Sequence, residues 1–195
     1  MADSQRPLVL ASSSPYRREL LDRLGLDYTT NSPDIDETVL PGETADALVE
    51  RLAEHKARSA GETFQGLIIG SDQVATVNDD ILGKPGNHDQ AVAQLGRLSG
   101  NRVTFHTGLC LLDTANHELQ LDMVPFTVQF RQLTAEQIER YLRTEQPYDC
   151  AGSFKSEGLG ITLFAKMMGE DPTALIGLPL IRLTEMLSNA GIVLP

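Results

Sequence analysis

Residues 66–77 read GLIIGSDQVATV. The run is apolar until Ser71, Asp72 and Gln73 interrupt it, and then it resumes, which reads as a strand with a polar break. A carboxylate at such a break is costly unless a metal, a base role or a cation compensates it. In sheets that contain parallel strands, sites collect at the carboxyl ends of strands. Asp72 is therefore a candidate site residue, weighed against a structural hydrogen-bonding role.

The segments on either side of this strand give the fold class. Residues 7–12, PLVLAS, read as a short buried strand, and Ser14 followed by Pro15 is an N-cap and first-turn pairing for a helix with Leu20, Leu21 and Leu24 on one side. Gly25 closes that helix, residues 26–30 form a second strand, and residues 31–41 are loop. Thr44 caps a helix running to about Ala60, and Gly61 and Gly66 bracket the turn into residues 66–77. Strand, helix, strand, helix, strand predicts an α/β layered fold.

Downstream, Asn78, Asp79 and Asp80 make a hairpin turn toward a strand over residues 81–84, and residues 88–98 form a helix ended by Ser99 and Gly100. Residues 103–112 and 119–130 are two long strands joined at 114–117, with alternation in Phe126, Val128 and Phe130. Thr134 caps a helix whose apolar side holds Ile138, Tyr141 and Leu142; residues 152–160 are a glycine-rich loop, and a last helix runs from about Leu180 to Asn189. There is no internal repeat and no linker rich in Pro, Gly or Ser, so the expectation is one domain over residues 1–195 built on a mixed sheet.

Composition narrows the function. The chain has 195 residues and a formal net charge of -11, with 22% charged and 41% hydrophobic residues, the make-up of a globular protein whose length needs no disulfide or structural metal. Such a charge argues against binding nucleic-acid polymers, which takes a basic face to displace counterions, but leaves room for a phosphate ligand in a local basic pocket. No apolar run approaches the ~18 residues of a membrane span. The first residues lack the pattern of a signal peptide, so the expected location is cytoplasmic, without membrane partners. Cys110 and Cys150 have no CxxC or zinc-type His spacing and read as reduced small hydrophobes.

Several further residues carry chemistry. ASSSPYRR, residues 11–18, places backbone amides, hydroxyls and two arginines at a helix N-terminus, an anion site or plain capping by Ser14. Leu48, Leu52 and Lys56 recur at helical spacing, so the Lys56 ammonium faces the body of the protein, either snorkelling to the core rim or meeting a buried anion. SPDIDETV supplies Asp34, Asp36 and Glu37, oxygen ligands of the kind that suit Mg²⁺ or Mn²⁺ bound with substrate phosphates, or else an exposed acidic turn. LGKPG holds Lys84 in a stiff turn that is not a Walker loop, because Asn78 and Pro85 stand where Gly and Ser or Thr are needed. GSFKSEGLG, with Lys155 and Glu157, lacks the dinucleotide fingerprint, and His55, His88, His106 and His117 form no zincin or hydrolase motif.

Taken together, SSSPYR, DET at residues 36–38, EHKA around Lys56, GSDQV at 70–74, GKP at 83–85 and SFKSEGLG at 153–160 resemble the Maf family of nucleotide pyrophosphatases, in order and over nearly the whole chain. The resemblance implies a fold related to inosine triphosphate pyrophosphatases, a long mixed sheet flanked by helices with a cleft between two lobes. It implies hydrolysis of nucleoside triphosphates to monophosphate and pyrophosphate with a divalent metal, Mg²⁺ or Mn²⁺, and it is compatible with a homodimer. By position, Ser12, Arg17, Glu37, Lys56, Asp72 and Lys84 match the phosphate, metal and catalytic residues, with Asp72 as proton acceptor. The mechanism this suggests puts Glu37 and Asp72 on the metal, Arg17, Lys56 and Lys84, joined by Lys155, on the charge of the leaving pyrophosphate, and Ser14 beside the substrate.

Tyr16, Gln73 and Glu157 stand where the family's branches differ, and they resemble the branch that hydrolyses 7-methyl-GTP rather than dTTP and UTP. That branch often has Trp where Tyr16 stands. The chemistry agrees: a cationic purine suits an aromatic ring to stack on, for roughly 0.5–2 kcal/mol, and a carboxylate to pair with its N1 and N2 donors. The alternatives are a dTTP/UTP pyrophosphatase of the same family and a nucleotide-binding regulator of septum formation.

Overall fold

The computed structural model describes residues 6–78 and 80–195. Asp79, assigned to a hairpin turn from sequence, and residues 1–5, read for a leader, lie outside the described residues. β1 (Leu8–Ala11), β2 (Thr29–Asn31), β3 (Leu67–Val77), β4 (Asp80–Leu82), β5 (Arg102–Asp113), β6 (Leu119–Phe130) and β7 (Phe164–Met168) form one sheet. The helices are α1 (Pro15–Asp22), α2 (Ala45–Gly61), α3 (His88–Leu98), α4 (Ala135–Glu145), α5 (Pro172–Ile176) and α6 (Leu180–Asn189).

The strand order is β2-β1-β3-β5-β6-β7, with β4 hairpinned onto β3. β1 runs parallel to β2 and β3, whereas β3, β5, β6 and β7 alternate, so the sheet is mixed as expected. The parallel pairing puts the carboxyl end of β1 and the middle of β3 at the same level, because Ala11 is opposite Gly70. The chain then leaves β1 through Ser12 toward α1 while β3 continues through Ser71 and Asp72. This is the switch point at which α/β sheets open a cleft.

Local sequence sets the helix starts. Ser14, Thr44, Asn87 and Thr134 each accept a backbone N–H of the first turn they cap, and Gln137 completes a reciprocal capping box with Thr134. α2 lies across β3 and β5 at two glycines. A methyl group on Gly70 would overlap the Ala53 carbonyl oxygen, and one on Gly108 would overlap the Val49 carbonyl oxygen. Gly108 is the register partner of Asp72. Backbone-to-backbone approach at these two points fixes the height of α2 above the sheet.

The core divides around the cleft. On one side, β1, α1, α6 and the start of β3 bury Leu8, Leu10, Leu20, Leu21, Leu183 and Leu187, and α2 packs Ala53, Ala57 and Ala60 over Val9 and Ile68. On the other, α3, α4 and α5 bury Leu95, Leu98, Leu142 and Leu175 with Phe105, Phe130 and Phe154, the last three in edge-to-face ring contacts. No helix among the described residues is long and apolar enough to cross a membrane.

Three expectations are corrected. The second strand is Thr29–Asn31 rather than 26–30, because Leu26 and Tyr28 turn in against the α1 and α6 cluster before pairing begins. The strand after the hairpin ends at Leu82, leaving Gly83 and Lys84 as loop. β7 and α5 were not expected at all: FAKMM has no alternation, and α5 has five residues, capped by Asp171 with Pro172 in the first turn.

Candidate active site

A cleft of about 780 Å³ opens at the switch point, lined by the segment after β1, the loop before α2, the middle of β3, the Lys84 turn, residues 149–151, 154, 156 and 157, and the end of α5. Its floor is Asp72, and α2 places Lys56 directly above it. The Lys56 ammonium stands 2.6 Å from Asp72 Oδ1 and 2.7 Å from Glu37 Oε1. The Lys56 and Asp72 side chains are only 11% and 12% exposed, while Glu37 is 59% exposed and reaches in from its loop. Burial alone drives the Glu37 carboxyl up; the hydrogen bond and charge of Lys56, then Lys84 and Arg17, outweigh it and hold the group below its ordinary value.

Lys56 thus meets one buried anion, Asp72, and one exposed anion, Glu37, both of them the protein's own carboxylates. Two carboxylates share the one ammonium, and Arg17 and Lys84 add positive charge close to them. Among the described residues no group of three or more His, Cys, Asp or Glu is placed to hold a metal by itself. Two hard carboxylates completed by phosphate oxygens are the donor set that Mg²⁺ uses at nucleotide sites, so Glu37 and Asp72 fit such an ion bound with its substrate.

The serine run divides its work. Ser14 caps α1 by accepting from the Arg17 amide (3.4 Å), and Ser12 accepts from the Ser14 amide (3.2 Å) and from an Arg17 guanidinium nitrogen (3.3 Å). Arg17 Nε donates to the Gly177 carbonyl (2.8 Å), which also accepts from buried Ser71 (3.0 Å). The end of α5 therefore holds Arg17 in place from across the cleft. The Lys84 side chain is exposed on the cleft wall, in the turn whose Gly86 amide is bonded to the Tyr148 carbonyl (2.9 Å).

A second group of cleft residues includes an aromatic ring and two carboxylates. Tyr16, Asp149, Cys150, Phe154, Ser156 and Glu157 make up this group, with Phe105 and Val74 as an apolar wall. The Lys155 ammonium, expected beside the phosphates, instead stands over the Tyr16 ring, 5.7 Å from its centroid, and Lys155 is not among the residues lining the cleft. Its backbone explains why: the Lys155 amide donates to Tyr141 Oη (3.0 Å) and the Leu159 amide to Glu145 (2.8 Å), so α4 anchors the glycine-rich loop with Glu157 toward the cleft. Gln73 also lines the cleft, but its amide nitrogen donates to Thr107 (3.0 Å) and to the carbonyls of Ala174 (2.7 Å) and Leu175 (3.2 Å).

Reading the sequence singled out Ser71 only as part of the polar break and missed Thr107, Asp149, Asp171 and Gly177. Asp171, 3% exposed, accepts from Thr173 and from the Ile181 amide (2.8 Å), tying α5 to α6 and so setting Gly177. The signal was Asp-Pro at 171–172, a helix-start pair with too short a helix behind it to stand out. Burial pushes the Cys150 thiol up to about 12, so at neutral pH it is a protonated wall group.

These features define an α/β protein with a cleft at a sheet switch point, lined by Arg17, Lys56 and Lys84 together with Glu37 and Asp72. The same fold occurs in the solved structure of a HAM1 protein from Coxiella burnetii, which matches with a TM-score of 0.55 over 95% of this chain and 100% of that one at 16% identity. The family model for Maf-like proteins matches residues 7–190, and the chain belongs to the Maf family. It is 60% identical over 185 residues to a protein of Nitrosococcus oceani named 7-methyl-GTP pyrophosphatase, covering 94% of this chain and 93% of the relative. A protein of the same name from Pseudomonas syringae pv. tomato is 58% identical over 189 residues, 96% and 98% of the two chains.

Proposed function

We propose that the protein hydrolyses 7-methyl-GTP to 7-methyl-GMP and pyrophosphate. The observation that carries the reading is the Lys56 ammonium bridging Asp72 and Glu37 at the floor of a cleft whose cationic end holds Arg17 and Lys84. In this reading a water attacks the α-phosphorus, the bond to the bridging oxygen of the β-phosphate breaks, and Asp72 takes the proton of the water. Arg17, Lys56 and Lys84 offset the charge that grows on the leaving pyrophosphate. Glu37 and Asp72 would hold Mg²⁺ or Mn²⁺, which supplies Lewis-acid polarisation of the phosphoryl oxygens.

The base end supports the substrate. Tyr16 offers an aromatic face and Glu157 a carboxylate to a purine that carries positive charge. Gln73 acts on specificity through α5, whose backbone it fixes, leaving Ile176 and Gly177 at a set height on the cleft wall. Analysis of the products with Mn²⁺ tests the class of reaction. Equimolar 7-methyl-GMP and pyrophosphate are expected, and release of inorganic phosphate would overturn the assignment.

A further inference from the structure

We propose that Asp149 is a specificity-determining residue, the carboxylate that gives the base end of the cleft a net negative charge and so selects a cationic purine over a neutral one. The proposal rests on the reading of this cleft as a 7-methyl-GTP site. Three charged side chains gather at the base end. Tyr16 Oη donates to Asp149 Oδ2 (3.4 Å), the Lys155 ammonium lies 5.7 Å from the centroid of the same ring, and Glu157 lines the same end. Glu145 stands behind the glycine-rich loop, bonded to the Leu159 amide, and does not line the cleft.

The charge count decides what this end prefers. Lys155 places a cation on the ring that a cationic base would stack on, and like charges repel. Lys155 and Glu157 together sum to zero, so that pair alone gives a methylated base no electrostatic advantage over guanine. Asp149 brings the sum to one negative charge. Its carboxylate is exposed and would otherwise be free to turn toward water, but it is tethered to the wall at both oxygens, by the Tyr16 phenol and by the Cys150 thiol (3.5 Å). The phenol itself stays neutral, because burial, then Cys150 and Asp149, push its pKa up.

The test is the ratio of kcat/KM for 7-methyl-GTP to that for GTP, with the matching ratio of dissociation constants, in the intact protein, the Asp149→Asn variant and the Asp149→Asn, Lys155→Gln double variant. Asn keeps an acceptor for the Tyr16 phenol and removes only the charge. The ratio is expected to fall about three- to tenfold in Asp149→Asn, the size of a solvent-screened single charge, and to return toward its original value when Lys155 is also neutralised. Equal losses on both nucleotides, with no recovery in the double variant, would show a structural role and overturn the proposal. An intact protein that does not prefer 7-methyl-GTP would instead defeat the functional reading beneath it.

Discussion

Gly70 of β3 lies so close to Ala53 of α2 that no side chain fits between the strand and the helix carbonyl. Three residues beyond Ala53 comes Lys56, and two beyond Gly70 comes Asp72. The contact between glycine and helix therefore sets the spacing of the ion pair that the site depends on.

Gly70→Ala should push α2 off the sheet, cost about 1–3 kcal/mol by overpacking, and lower kcat/KM as Lys56 withdraws from Asp72. Gly96→Ala in α3 is the control. Its methyl group meets nothing within 4 Å, so it should be neutral or stabilising by up to about 1 kcal/mol. Thermal melts and steady-state rates of both variants check this, and an unchanged Gly70→Ala enzyme would contradict it.

Removing the Lys56 ammonium leaves Asp72 buried and unpaired. Lys56→Met should lose about 3 kcal/mol, roughly 6–12 °C in Tm for a chain of this size. Adding Asp72→Asn should recover part of that loss, because the stranded charge is gone. A Lys56→Met melt matching the parent would show that the pair contributes nothing to stability.

Asp72→Asn on its own should reduce kcat about 10²–10⁴-fold, the range of a lost general base. Nucleotide affinity is expected to survive within severalfold, since Arg17 and Lys84 are untouched. Titration calorimetry and pyrophosphate release separate the two effects; retained turnover contradicts the role of Asp72 as proton acceptor.

Glu37 gives a pH signature. Its carboxyl sits below the ordinary value of 4.5 in the folded protein. The stabilisation it contributes is therefore complete above about pH 4.5 and is lost as pH falls through the depressed folded value. Glu37→Gln should flatten that part of the acid limb in denaturant melts. Because the side chain is more than half exposed, the change is expected to be small.

The fold was legible where pattern and chemistry coincide. The break at Ser71 to Gln73, the caps at Ser14, Thr44 and Thr134 and the long β5 and β6 strands are local signals, and they placed the cleft. β7 was hidden because an edge strand with half-exposed residues needs no alternation, and α5 because five residues give no period.

In the cleft, Lys56 was singled out by its stripe on α2 and Asp72 by its isolation in an apolar strand, and the structure pairs the two. What the sequence could not carry were contacts made across more than a hundred residues, such as Ser71 and Arg17 on the Gly177 carbonyl, or Tyr16 on Asp149. The position of Lys155 was not legible for a related reason. Its backbone is anchored by Tyr141, so its ammonium goes to the Tyr16 ring rather than to the phosphate end.

The proposed hydrolysis is decided by kcat/KM on a panel of 7-methyl-GTP, GTP, dTTP and UTP, with pyrophosphate detected in the presence of Mg²⁺ or Mn²⁺. On the proposed function the product is pyrophosphate and 7-methyl-GTP is the preferred substrate. A higher kcat/KM for dTTP or UTP, or tight nucleotide binding without turnover, would contradict it.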